Sequence, residues 1–171
     1  MDYSLRELSR KDISSINKWR NNKELIDNLG APYRFIDEEI DNAWYDNYLK
    51  NRHNTIRCSI VDKNDSIIGL VSLTDVDCVN KSAVFHIMIG DSNMQNKGIG
   101  TFAVKIMLKH AFNNMNLHRV QLEVLSTNER AIAVYEKAGF KKEGELKEVF
   151  YKNGSYVNAY IMAVLDSDFK E

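Results

Sequence analysis

Proline occurs once in this chain, at Pro32, and cysteine twice, at Cys58 and Cys78. With one proline, no repeat and no low-complexity stretch, the sequence offers no linker between parts, and a single domain over residues 1–171 is expected. Two cysteines outside any CxxC or HxxxH spacing make neither a disulfide framework nor a zinc site, so no metal is expected and the thiols fit a reducing compartment. An excess of charge of one sign is also missing. The 23 Lys and Arg nearly balance the 24 Asp and Glu, for a formal net charge of -1. No basic field argues for nucleic acid or for an anionic membrane. No apolar run approaches the ~20 residues of a membrane span. Residues 1–6 lack the basic-then-apolar pattern of a signal peptide, and a cytoplasmic protein is expected.

What is present is a regular alternation of strand and helix patterns. Tyr3 and Leu5 alternate with polar neighbours in a short strand. Lys11 and Asp12 open an amphipathic helix carrying Ile13, Ile16 and Trp19, and residues 23–35, with Gly30 and Pro32, read as a loop or broken helix. Residues 37–49 form a second helix with Ile40, Trp44, Tyr48 and Leu49 on one face. Strands at 55–61 and 67–73 flank the turn residues 62–66, and a polar connection over 75–81 leads to a strand at 84–89. The helix at 99–113 carries Ile99, Phe102, Ala103 and Ile106, widened by Met107, Ala111 and Phe112. A strand at 119–125 follows, and Ser126 with Glu129 fits a capping box for a helix ending at Ala138 and Gly139. Two closing strands, 140–149 and 156–165, flank the hairpin turn signal Asn153-Gly154. The order β-α-α-β-β-β-α-β-α-β-β describes a mixed α/β sheet with helices on its faces. An exposed final strand at 156–165 would permit a homodimer through a sheet edge.

The stretch that organises this pattern is Gln95-Asn96-Lys97-Gly98-Ile99-Gly100-Thr101, which joins a strand to a helix. Glycine takes backbone angles closed to other residues and lets another molecule come close. The free N–H groups of a helix's first turn, at the positive end of its dipole, make an anion site. The loop lacks the G-x-x-x-x-G-K-[ST] pattern of a nucleotide triphosphate loop and the three glycines of a dinucleotide fingerprint.

A second segment follows one helix and one strand later: Asn128-Glu129-Arg130-Ala131-Ile132-Ala133-Val134-Tyr135-Glu136-Lys137-Ala138-Gly139-Phe140. Together with Gln-x-x-Gly-x-Gly it resembles the paired signatures of the GNAT superfamily of acyl-CoA-dependent N-acetyltransferases. The nearest likeness is to the branch of ribosomal-protein, spermidine and amino-sugar-nucleotide acetyltransferases. The resemblance implies a splayed central strand and acetyl-CoA as co-substrate. It implies that Gln95, Asn96, Lys97, Gly98, Ile99, Gly100 and Thr101 hold the CoA pyrophosphate, largely through backbone N–H groups. Met88, Ile89 and Asn128 would contact the pantetheine arm, and Tyr135 would point its hydroxyl at the sulfur. The acceptor would be a small-molecule or peptide amine, such as a polyamine, a protein N-terminus or an amino sugar.

Acetyl transfer sets the residues to look for. An alkyl ammonium, with a pKa of roughly 10, must lose a proton before it attacks, and the departing thiolate must gain one. Tyr135 is either a core tyrosine or the acid, and Asn128 is a helix-start residue, a cofactor contact or both. The branch commonly carries Glu where this chain has Val84, in Ala83-Val84-Phe85-His86-Ile87. The base is then His86, Asp75, Glu123 or an ordered water, and a half-buried structural histidine is the competing reading of His86. Neither cysteine sits in a nucleophile motif, so transfer is expected to be direct, in a ternary complex. A non-catalytic acyl-CoA-binding module is the alternative.

Overall fold

The computed structural model describes residues 3–94 and 97–170. Seven strands form one sheet in the order β1-β2-β3-β4-β5-β7-β6. They are β1 (Tyr3–Glu7), β2 (Ile56–Asp62), β3 (Ile67–Asp77), β4 (Ser82–Ile89), β5 (Arg119–Leu125), β6 (Lys141–Lys152) and β7 (Ser155–Leu165). Five helices connect them: α1 (Ile13–Arg20), α2 (Lys23–Asp27), α3 (Glu38–Lys50), α4 (Ile99–Lys109) and α5 (Glu129–Lys137). Every neighbouring pair is antiparallel except β4 and β5, which run parallel. Parallel neighbours need a crossover, and α4 supplies it.

Alternation along the strands gives the sheet two unlike faces. The rows Ile56–Leu73–Phe85 and Cys58–Val71–Ile87 run across β2, β3 and β4 on one face. With Val120, Leu122 and Met162 they meet the buried side chains of α4, Ile99, Ala103, Val104, Met107 and Leu108, in the main core. The opposite rows are Arg57–Ser72–His86 and Ser59–Leu70–Met88. A second core of Leu8, Ile13, Ile16 and Tyr48, with Trp19, Trp44 and Leu70, seats α1 and α3 over part of that face.

Three expectations change in detail. In α3 the buried positions are Asp41 and Tyr48, while Ile40 is 60% and Leu49 44% exposed. Asp41 is buried because Arg20 and Asn17 of α1 bond its carboxylate, a partnership that apolar spacing does not reveal. In α4 Ile106 lies on the outer side and Val104 and Leu108 face inward, and the helix ends in a π turn at His110–Asn114. The edge strands of the sheet are β1 and β6. β7 lies between β5 and β6, so the final strand offers no free edge. The hairpin joining β6 and β7 turns at Asn153 and Gly154, both at positive φ (50° and 87°), the two-residue turn that suits twisted strands.

Candidate active site

The sheet is parted at its middle. β4 and β5 pair only at Ser82–Arg119, Ala83–Val120 and Val84–Gln121. Beyond Val84 each strand runs on unpaired with the other, β4 to Ile89 and β5 to Leu125. The gap opens into a cleft of about 1700 Å³, well above the ~300–1,000 Å³ of an ordinary ligand pocket. It has room for two substrates. Met88 and Ile89 line it on the β4 side, and Asn128 and Tyr135 line it from α5.

At one end the cleft meets the start of α4. Gly98 caps the helix at φ 78°, ψ 0°, a left-handed conformation that favours glycine, and a Cβ there would meet nothing within 4 Å. The first bond of the helix runs from Phe102 N–H to Gly98 C=O, 3.0 Å, leaving the N–H groups of Ile99, Gly100 and Thr101 without intrahelical partners. Gly100 is different from Gly98. It has ordinary helical backbone, and a Cβ would rest 3.8 Å from Val134 Cγ1. Its value is its bareness on the cleft wall. These residues fit a diphosphate: an open, unbranched backbone cradle with free donors. Lys97 stands outside that wall, with its ammonium 3.7 Å from Met94 Sδ. Gln95 and Asn96 lie outside the described residues.

Tyr135 is 8% exposed and packs against Phe85 and Phe140, with ring centroids 6.2 and 5.7 Å away. Its hydroxyl makes no hydrogen bond among the described residues. Burial pushes the phenol up to about 12, so it holds its proton at neutral pH. Asn128 is the N-cap of α5: its Oδ1 accepts from Ala131 N–H at 3.1 Å. The expected box of Ser126 and Glu129 is therefore replaced by a cap two residues further on. Asn128 Nδ2 donates to Asn28 C=O at 2.9 Å, tying α5 to the segment after α2.

On the polar face His86 sits exposed on the cleft floor, with its Nε2 3.0 Å from Thr74 Oγ1. Thr74 Oγ1 in turn donates to Asp75 Oδ2 at 3.0 Å. The inner part of the imidazole is desolvated and Arg57 is near. Both hold its pKa below the usual value, against a smaller pull from Asp75. Arg57 itself stacks on Trp44 at 4.8 Å and stands 5.9 Å from the Tyr48 ring. Its Nε is closed off from solvent without a hydrogen-bond partner among the described residues, and desolvation lowers its pKa. The carboxylates of Glu24, Asp75, Glu123 and Glu129 also line the cleft. Thr74, Arg57 and the Trp19–Gly90 contact escaped the sequence reading. In that contact the indole lies so close over Gly90 that a Cβ would fall 1.9 Å from its Cδ2. Only the pairing of β2, β3 and β4 shows that Arg57, Ser72 and His86 share a row.

Among the described residues no group of three His, Cys, Asp or Glu could hold a metal ion, and no helix is long and apolar enough to cross a membrane. The family model described as an acetyltransferase (GNAT) domain matches residues 3–141. A spermidine N(1)-acetyltransferase of Vibrio cholerae is 32% identical over 169 residues, covering 97% of this chain and 94% of that protein. The spermidine N(1)-acetyltransferase of Escherichia coli K12 is 32% identical over 166 residues, covering 96% and 87%. The crystal structure of the Vibrio cholerae spermidine N-acetyltransferase in complex with CoA and spermine matches with a TM-score of 0.91 at 29% identity, covering 98% of this chain and 97% of that one. Another structure of a spermidine N-acetyltransferase from Vibrio cholerae is described as dodecameric.

Proposed function

Because the chain belongs to the GNAT family of acetyltransferases, and is an acetyl-CoA-dependent N-acetyltransferase of amines, we propose that it acetylates a primary amine of a polyamine by direct transfer. The observation that carries this reading is the parted pair β4–β5, with a proton-bearing phenol on one wall and a neutral imidazole on the other. When bound, acetyl-CoA supplies the activated acetyl group. The backbone donors of Ile99, Gly100 and Thr101 hold its diphosphate. Gln95, Asn96 and Lys97 belong to the same loop in sequence and are assigned to that group by the family resemblance alone. The stretch of β4 that has parted from β5, at Met88 and Ile89, takes the pantetheine arm, and Asn128 uses the N–H that it does not give to Asn28.

His86 removes a proton from the ammonium of the acceptor. The amine nitrogen then bonds to the acetyl carbonyl carbon as the C–S bond breaks, and Tyr135 gives its proton to the departing sulfur. The second proton, shed by the new amide nitrogen, passes to solvent, from which the Tyr135 phenolate is reprotonated. Both groups hold the right form near pH 7: the imidazole is unprotonated and the phenol protonated. Holding amine and thioester together contributes much of the rate. The cleft lining carries Glu24, Asp75, Glu123, Glu129 and Glu143 alongside Arg20, Arg57, Arg119 and Arg130, so its charge is nearly balanced, and the polyamine reading rests on the likeness to spermidine acetyltransferases. The need for acetyl-CoA and the two free cysteines support a reducing compartment, and we propose the cytoplasm. A second copy would dock along the β6–β7 hairpin, where Val149, Tyr151 and Tyr156 are 44%, 63% and 67% exposed.

Thiol release measured over spermidine, a peptide with a free N-terminus and an amino sugar tests the reading. Spermidine should be turned over fastest. Tyr135→Phe should lower kcat on the order of 10²-fold while acetyl-CoA binding is kept. Tight acetyl-CoA binding with no turnover of any amine would leave a binding module instead.

A further inference from the structure

The base assignment leaves two questions open: which imidazole nitrogen takes the proton, and what stands in for the carboxylate missing at Val84. The hydrogen-bond directions answer the first. An ionised carboxylate only accepts, so the Thr74 hydroxyl spends its proton on Asp75 Oδ2, at 3.0 Å. Its oxygen is then free only to accept, and His86 Nε2, 3.0 Å away, must be the N–H that donates to it. A neutral imidazole protonated at Nε2 has its lone pair on Nδ1.

The backbone answers the second. Thr74 is the cross-strand partner of Val84. The β3–β4 register slips between Thr74 and Asp77, and inside that slip Asp75 adopts φ 51°. A bulge re-aims a side chain, and a non-glycine residue at positive φ is held there by its surroundings. Regular alternation would send Asp75 to the sheet face opposite Thr74. The bulge brings its carboxylate onto the Thr74 hydroxyl and into the cleft lining. The negative charge that β4 lacks at Val84 is thus delivered from β3, one hydroxyl away from the imidazole.

We propose that Thr74 and Asp75 are positioning residues for acetyl transfer, a carboxylate–hydroxyl–imidazole relay that fixes His86 in its Nε2–H form and leaves Nδ1 to take the proton from the acceptor amine. The inference rests on His86 as the base. The proton accepted at Nδ1 leaves the ring doubly protonated. The Nε2–H···Oγ1 bond, strengthened by Asp75, steadies that charge until Nδ1 releases the proton to solvent. No atom of Thr74 or Asp75 is exchanged.

Two measurements test the relay on the full chain. In the first, 15N NMR of the imidazole at neutral pH should show a single Nε2–H tautomer in the unaltered protein. Thr74→Val should give a mixture, and Thr74→Ser should restore the single form. In the second, the pH profile of kcat/KM should respond in the same pattern. Thr74→Val should lower the plateau about tenfold, the size of one lost charge-assisted contact, and Thr74→Ser should recover most of it. Asp75→Asn should fall between the two. A tautomer mixture in the unaltered protein, or one form that persists in Thr74→Val, overturns the relay. So does Thr74→Ser behaving like Thr74→Val. If His86→Gln leaves turnover intact while the NMR pattern holds, the relay stands as a structural fact and His86 as the base falls.

Discussion

The two faces of the central sheet are built from the same strands and do opposite work. Phe85 and His86 are neighbours on β4. Phe85 is 2% exposed and packs with Tyr135 and Phe140, whereas His86 looks out onto the cleft floor. The first face packs apolar side chains against α4, with Tyr135 the polar-tipped member of that core. On the second, charges are held with incomplete company: the Nε of Arg57 has no partner among the described residues, and Asp75 sits at a positive φ. The apolar face supplies the stability that lets the polar face keep groups in costly positions. The parted strands connect the two, because Tyr135 is anchored on the apolar side and lines the cleft.

The sharpest way to break the comparison is to substitute the two neighbours separately. Phe85→Ala should lower stability by about 3–5 kcal/mol in urea unfolding, and His86→Ala should stay within roughly 0.5 kcal/mol while losing most turnover. Equal stability losses would show that the faces are not divided in this way.

The next largest effect lies where the polar face is closed. Asp12 is buried, with its carboxylate taking bonds from Arg6 at 2.7 and 2.8 Å, Ser59 at 2.7 Å and Ser9 N–H at 3.0 Å. Burial pushes this carboxyl up, but the bonds from Arg6, Ser59 and Ser9 outweigh it and hold the pKa below the usual value. A depressed carboxylate contributes stability that is present in full above its unfolded value, ~3.9, and is lost as pH falls through the folded one. Asp12→Asn should therefore cost roughly 2–4 kcal/mol at pH 7 and flatten the acid limb of the stability curve below about pH 4. An unchanged limb in chemical unfolding against pH would remove Asp12 from that role.

The smallest effect sharpens the comparison most. Desolvation and the Arg57 charge hold the His86 pKa below its usual 6.5, so the acidic limb of kcat/KM should lie below that pH. Arg57→Met keeps an apolar body against Trp44 and removes the charge. The limb should move toward higher pH, and a limb that stays in place would show that Arg57 does not set the charge of the floor.

Much of this was legible in the sequence, and what was missed has a common cause. The element order, the glycine cradle and the Tyr135 helix follow from local patterns that need no partner. The α3 face was misread because Asp41 is buried by Arg20, and the chain gives no local sign of that pairing. Asn128 outcompeted Ser126 as the cap because the helix starts two residues after the capping-box spacing implies. The place of β7 inside the sheet depends on a strand pairing across the fold, with β5. Thr74 and Arg57 gained meaning only through register, which places them beside His86 although they are 12 and 29 residues away in the chain.

One hydrogen bond described above has reach beyond its size. Asn128 caps the helix that carries Tyr135 and, with the same side chain, clasps Asn28 from the other end of the chain. The segment after α2 that lines the cleft and the helix that carries Tyr135 are thereby one piece of carpentry. A change made in that segment will be felt at α5, so one wall of the cleft cannot be reshaped in ignorance of the other.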